Sequence, residues 1–362
     1  MKNTFGQSVS LTLFGESHGQ EIGAVLDGIA PGIVVDEEFI RHQLFLRRPA
    51  GKISTARVES DPFRIVSGVF DGKTTGTPIA IIIPNSNTKS RDYTPEIPRP
   101  GHADFAAECK YHGFQDYRGG GHFSGRITAA LVAAGAILIS ALRQKGIAIG
   151  THIHTLGPIQ DRPFGDLKAD FVTLEDLNVS VLDAEIASRM QAHIEQAAAD
   201  GDSVGGVLET VVTGMEAGVG EPWFDTVESL LAHALFGIPA IKGVEFGDGF
   251  ALTQMRGSQA NDAFRVEDGR IVTETNHNGG INGGITNGMP IVFRCAVKPT
   301  PSIFKEQRTV NMYQKENLDF SLQGRHDPAI IHRARVVVDS VTALVLCDLL
   351  AMRYGTDWLR GE

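Results

Sequence analysis

Val9, Leu11 and Leu13 alternate with Ser8, Ser10 and Thr12, a period of two that predicts a half-buried strand ending at Gly15. The runs 22–26, 63–69, 79–83, 147–155, 207–212 and 291–297 are short, rich in branched side chains and bounded by Gly or Pro, and each predicts a further strand. Two longer segments, 125–144 and 334–353, are rich in Ala and Leu and apolar on nearly every side, the pattern of buried helices. Ser124 is placed to cap the first and Gly146 to stop it, although Ile127 stands where a capping box needs Glu or Gln. A helix apolar all round needs cover on all sides, so sheets or other helices should enclose it. A third helix, over 184–199, carries Arg189, Gln191, His193 and Glu195 and must be partly exposed. No internal repeat, heptad or Pro- or Ser-rich linker divides the chain, so one intertwined α+β domain over residues 1–362 is expected.

Composition narrows the function. At 362 residues, 42% hydrophobic and 21% charged, the chain has an ordinary globular balance and is not a disordered segment. A net charge of −10 disfavours nonspecific binding to nucleic acid or to an anionic membrane, both of which need a broad basic surface. We expect no membrane-spanning run, and residues 1–9 lack the apolar centre of a secretory signal, so a cytoplasmic location is expected. Cys109, Cys295 and Cys347 are far apart and are assigned neither a disulfide nor chemistry.

Candidate chemistry gathers where histidine meets glycine. Four segments do this: Gly15-Glu16-Ser17-His18-Gly19, Arg99-Pro100-Gly101-His102-Ala103-Asp104, Gly119-Gly120-Gly121-His122 and Gly324-Arg325-His326-Asp327-Pro328. Each falls at an expected turn, where a rigid scaffold can position a reactive group while the tip stays open. A metal site drawn from His18, His102, His122, His326, Asp104 and Asp327 ranks below a metal-free one, because no ligand pair has a helical metal-site spacing.

Positive charge recurs beside glycine as well. Arg47, Arg48, Lys52 and Arg57 share one loop-like stretch, Arg118 and Arg126 flank the triple glycine, and Lys298 opens Lys-Pro-Thr-Pro-Ser. In an acidic chain this joint placement points to an anion pocket, where guanidinium groups hold carboxylate or phosphate bidentately. Gly119 to Gly121 lead into Ser124 and the apolar helix, so backbone N–H groups can add to that pocket, although no Walker A ending follows.

In this order the segments resemble the chorismate synthase family nearly end to end, from Phe14-Gly15-Glu16-Ser17-His18-Gly19 through 99–104, 119–121, 243–250 and 298–302 to 324–328. The resemblance implies a single-domain β-α-β sandwich with buried apolar helices between sheets, assembled as a homotetramer. It implies a lyase of the shikimate pathway, and so of aromatic amino acid biosynthesis. That reaction is an anti-1,4-elimination of phosphate from 5-enolpyruvylshikimate 3-phosphate to give chorismate, requiring reduced FMN without net redox change. Carried over residue by residue, it makes His102 the general acid at the leaving phosphate. His18 becomes the group that sets protonation beside the flavin, and Asp327 the aid to hydrogen transfer toward flavin N5. Arg47, Arg48, Arg126 and Arg325 would bind substrate. Arg47, Lys52, His122, Phe123, Ser124, Pro239, Ala240, Gly283, Lys298, Pro299, Thr300, Pro301, Ser302 and Arg325 would bind cofactor.

One stretch departs from the family's commoner Arg-Ser-Ser-Ala-Arg-Glu-Thr, reading His122-Phe123-Ser124-Gly125-Arg126-Ile127-Thr128. A titratable imidazole and a stackable ring replace an arginine and a hydroxyl there, so the affinity for reduced flavin should depend more on pH than in other members. No reductase module is expected after the last helix, so an external flavin reductase, drawing on NADPH, is the expected source of reducing equivalents. The residue types alone leave two other classes open: a metal-dependent hydrolase acting on a phosphorylated small molecule, and a noncatalytic anion-binding protein.

Overall fold

The computed structural model describes residues 2–49, 51–54, 60–86, 94–322 and 327–360. The alternating runs form two antiparallel five-stranded sheets. The first contains β1 (Thr4–Phe5), β2 (Ser10–Gly15), β3 (Glu21–Asp27), β4 (Arg64–Ser67) and β5 (Ile79–Pro84), in the order β1-β2-β3-β5-β4. The second contains β6 (Ala148–Leu156), β7 (Ile159–Gln160), β8 (Gly206–Thr213), β9 (Ile241–Phe246) and β10 (Ile291–Val297), in the order β9-β10-β8-β6-β7. Alternation chooses the faces: Ile22, Ala24 and Leu26 on β3, Ile79, Ile81 and Ile83 on β5, and Ile291, Phe293 and Cys295 on β10 are all fully buried.

Seven helices of eight residues or more complete the described frame: α1 (Glu37–Arg47), α2 (Asp104–Tyr111), α3 (Thr128–Gln144), α4 (Leu167–Leu174), α5 (Ala184–Ala199), α6 (Val227–Leu235) and α7 (Ile331–Tyr354). Here α3 packs on β3 and β5 of the first sheet, α7 packs on β6 and β8 of the second, and the two helices pack on each other. The result is a β-α-β sandwich whose middle layer is made of the two segments that read as apolar all round. Residues 125–144 do reach the length and mean hydropathy, 1.8, of a bilayer span, contrary to expectation, but 78% of that window is buried within the protein as a core helix.

Local chemistry sets the helix ends. Ser124 accepts a hydrogen bond from the Arg126 N–H and caps a short tight turn, Gly125–Ile127, ahead of α3; Gly146, at φ 77°, releases the chain after it. Three departures from the sequence expectations matter for the site. The strand expected over 63–69 divides at Gly68, whose φ of 80° breaks the ladder. The last helix begins a turn earlier than 334, which brings His332 and Arg333 into it. Arg47 and Arg48, read as loop residues, close and cap a helix that was not expected; the Asp36 carboxylate caps its start at 3.0 Å from the Phe39 N–H, and it buries Ile40 and Leu44 one turn apart.

The two core helices cross at Gly135, where an added Cβ would stand 2.3 Å from the Ser340 Cβ and 2.8 Å from its Cα. Because backbone is in the way, Gly135→Ala must push the helices apart. Overpacking of about 1–3 kcal/mol then outweighs the roughly 1 kcal/mol of helix propensity that alanine supplies. Thermal unfolding should show a lowered Tm; an unchanged or raised Tm would mean that the crossing is looser than this.

Candidate functional site

Positive backbone torsions at Gly119 (φ 61°), Gly120 (φ 83°) and Gly121 (φ 54°) turn the chain tightly just before α3. The freedom has a spatial use at the first two. A Cβ on Gly119 would lie 2.7 Å from His18 Nε2, and one on Gly120 would lie 3.0 Å from His102 Cε1, so only bare backbone lets both imidazoles approach this run. The Ser17 N–H donates to the Gly121 carbonyl at 3.0 Å and fastens the His18 loop to it.

His102 is oriented by its own loop. Asp104 Oδ1 lies 2.6 Å from His102 Nδ1 and 2.8 Å from Arg99 Nη2. A guanidinium only donates, so Arg99 and His102 Nδ1–H both give protons to that one oxygen, and Nε2 is the ring nitrogen left for the cleft. Burial opposes the charge on Asp104, but hydrogen bonds from Arg99 and His102, together with their positive charge, outweigh it and hold the carboxyl well below its usual range.

These residues stand on the wall of a cleft of about 1300 Å³ that opens onto the helical layer, with Leu131 of α3 and Val337, Val341 and Leu344 of α7 among its lining. Among the described residues its walls carry Lys2, Arg47, Arg48, Arg126, Lys242, Lys298 and Arg333 against Asp61 and Asp327, seven cations to two carboxylates in a chain whose net charge is −10. Buried Asp61 lies between two of these cations: Arg126 Nη1 donates to its Oδ1, and Arg47 Nη1 is 3.6 Å from its Oδ2. Arg126 also donates to Asn85 Oδ1 at 2.9 Å, and Arg47 to Thr128 Oγ1 at 2.9 Å. Arg333 Nη1 holds Asp327 at 2.6 Å while its Nε donates to the Arg47 carbonyl at 2.9 Å, tying α7 to the end of α1.

Cofactor candidates converge on the same space from distant parts of the chain. Lys298 Nζ donates to the Gly101 carbonyl at 2.6 Å, bringing the Lys-Pro-Thr-Pro-Ser segment to the His102 loop. His122 Nδ1 lies 2.8 Å from the Gly15 carbonyl, an acceptor only, so Nδ1 carries the proton and Nε2 is left as the second ring nitrogen. Phe123, Ser124, Pro239, Ala240, Thr300, Pro301 and Ser302 also line the cleft, and the Phe123 ring meets Tyr111 edge-on at 6.0 Å.

Other candidates fall elsewhere. His18 lies against Gly119 and is not among the residues that line the cleft. Gly283 makes the turn between Ile281–Asn282 and Ile285–Thr286 with φ 62° and is not among the residues that line the cleft. The Pro299 ring packs over Gly205, while its neighbours Lys298 and Thr300 line the cleft. Arg57, Arg325, His326 and the Lys52 side chain lie outside the described residues. Sequence reasoning missed Asp61, Asn85 and Arg333. For Arg333 a signal existed, an arginine at the start of an apolar helix; for Asp61 there was none.

A helical layer closed between two sheets opens at a cationic cleft beside a carboxylate-oriented histidine, an arrangement of the class of small-molecule sites suited to anions. The chain belongs to the chorismate synthase family, whose sequence model, described as chorismate synthase, matches residues 9–351. A chorismate synthase from Pyrococcus abyssi (strain GE5 / Orsay) is 46% identical over 354 residues, 96% of this chain and 97% of the relative. One from Lachnoclostridium phytofermentans (strain ATCC 700394 / DSM 18823 / ISDg) is 46% identical over 353 residues, 96% of this chain and 95% of that protein. Among solved structures, a chain described as "Crystal Structure of Chorismate Synthase" superposes with a TM-score of 0.75 at 30% identity, covering 97% of this chain and 94% of its own. Membership makes this protein a lyase of the shikimate pathway, and the family implies a flavin cofactor.

Proposed function

We propose that the cleft holds 5-enolpyruvylshikimate 3-phosphate beside reduced FMN and eliminates phosphate in the anti-1,4 sense, yielding chorismate with no net redox change. The observation that carries this is the concentration of seven cations on the cleft wall of an acidic protein, beside a histidine whose orientation is fixed. A substrate with two carboxylates and a phosphate needs such a wall. The volume of about 1300 Å³ exceeds the roughly 300–1,000 Å³ of an ordinary small-molecule site, as a ring compound and a flavin together require.

Reduced flavin, when bound, supplies the electron density that eases cleavage of the carbon–oxygen bond to phosphate. The remaining tasks fall to the chain. Arg47, Arg48 and Arg126 bind anionic groups of the substrate, with Arg325 assigned to the same work. His102 Nε2–H gives a proton to the departing phosphate, and Asp104 stabilises the imidazolium before transfer and keeps the ring aligned after it. Asp327, held by Arg333, assists removal of the substrate hydrogen, and His18 is assigned to protonation at the flavin edge through the Gly119 turn it packs against. Lys298 and the segment through Ser302, with Ser124 and the faces of His122 and Phe123, hold the flavin. Reduced flavin comes from an external reductase that draws on NADPH. The protein works in the cytoplasm as a homotetramer, for which exposed Trp223, Phe224 and Phe250 offer apolar surface to bury.

The test is an anaerobic assay with the enolpyruvyl phosphate substrate, following phosphate and the conjugated diene together. Both should rise in equal amounts and only when reduced FMN is present. Phosphate without diene would identify a hydrolase instead, and binding without either product would leave an anion-binding protein.

A further inference from the structure

Behind the second sheet lies a cluster that the cleft does not use. Thr151 Oγ1 bonds to Asp339 of α7 at 2.6 Å and to Thr210 at 2.7 Å, so these threonines face the helical layer and their neighbours face away. The antiparallel register sets His152 opposite Glu209, Glu209 opposite Arg294, and Arg294 opposite Glu245, one row of alternating charge on the outer face of β6, β8, β10 and β9. His152 is fully buried there, with the Phe164 ring 4.7 Å from its own.

We propose that His152, His154 and Glu209 form a binding site for one zinc-class divalent cation that ties β6 to β8. One ligand atom from each of the three lies within 4.8 Å of the others. His152 Nε2 and Glu209 Oε2 are 3.2 Å apart, close to the roughly 3.3 Å between two ligands of a tetrahedral zinc with bonds of about 2.0–2.1 Å. The outer partners are in place as well. His152 Nδ1 bonds to Asp161 Oδ2 at 2.8 Å, which turns Nε2 toward the site, and Asp161 is itself held by the Leu182 N–H at 2.7 Å and the Arg162 N–H at 2.9 Å. Arg294 Nε occupies the other Glu209 oxygen at 2.9 Å and leaves Oε2 as the single ligand oxygen.

His154 supplies the observation that points outward from this network. Its Nδ1 is buried and has no hydrogen-bond partner among the described residues, although an imidazole nitrogen removed from water ordinarily has one. Charge agrees: a divalent ion with Arg294 balances Asp161, Glu209 and Glu245, whereas a proton between His152 and Glu209 leaves one carboxylate in excess. Two imidazoles and one carboxylate oxygen suit zinc rather than magnesium or calcium, which favour oxygen ligands throughout.

The experiment uses the full chain without a histidine tag, stripped with chelator and titrated with ZnCl2, and separately with CoCl2 as a visible-absorption probe. Wild type should take up one equivalent of zinc, show a Tm that rises with the logarithm of free zinc above the dissociation constant, and give the visible bands of tetrahedral cobalt. His154→Gln should weaken zinc more than about 10-fold, and Asp161→Asn by about 10- to 100-fold, with circular dichroism unchanged for His154→Gln. No stoichiometric uptake by wild type, or equal uptake by wild type and His154→Gln, would overturn the site; the first outcome would leave a proton as the only bridge between His152 and Glu209.

Discussion

His102→Ala is expected to lower turnover by about 10²- to 10⁴-fold, the range that a positioned acid contributes, with little change in Tm. The ring is only partly buried, 19% exposed at its side chain, and its hydrogen bonds run within one loop, so the core does not depend on it. Asp104→Asn separates orientation from proton transfer. An amide in that place cannot match the carboxylate's charge toward His102 and Arg99, so the loss should be smaller and come with a shifted pH profile. KM for the substrate should move little in either variant, because phosphate and carboxylate capture rests on the arginines. A His102→Ala enzyme that turns over at the wild-type rate would remove the assignment of the acid while leaving the family intact.

Asp61→Asn should cost about 3–5 kcal/mol of stability, the usual consequence of removing one partner from a buried ion network. The side chains of Asp61, Arg47 and Arg126 are 1%, 5% and 4% exposed, so water cannot replace the lost charge. Asparagine is the informative replacement: Asp61 sits at φ 46°, a left-handed conformation that Asn tolerates, so the backbone is spared and only charge is removed. Urea unfolding within about 1 kcal/mol of wild type would show that the arginines are compensated by their carbonyl and amide partners instead.

Much of the fold was legible because local periodicity records burial. Val9, Leu11 and Leu13 alternate since one side of β2 faces the core, and the all-apolar stretch 125–144 has no polar face because protein covers α3 on every side. Helix α1 escaped notice because its buried stripe is short and interrupted by Arg41, His42 and Arg47; its Asp36 cap was the usable cue. In the site, the histidine and glycine segments could be found from the sequence because reactive groups and tight turns occur together along the chain. Asp61 could not, since nothing near it in sequence says that Arg126, 65 residues on, is its partner.

By itself the sequence determined which stretches are strands or buried helices, the presence of cationic, glycine-rich turns in an acidic chain, and the family resemblance those turns carry. Only the tertiary structure decided which of them meet. It set Lys298 against Gly101 across 197 positions and His122 against Gly15 across 107, placed Asp327 in the grip of Arg333, packed the Pro299 ring over Gly205, and joined His152 to Glu209 behind the second sheet. The physical reason is that an element's own side-chain period encodes which face is covered, whereas its neighbours depend on strand order and helix crossing. Those are settled by packing of the whole chain at once.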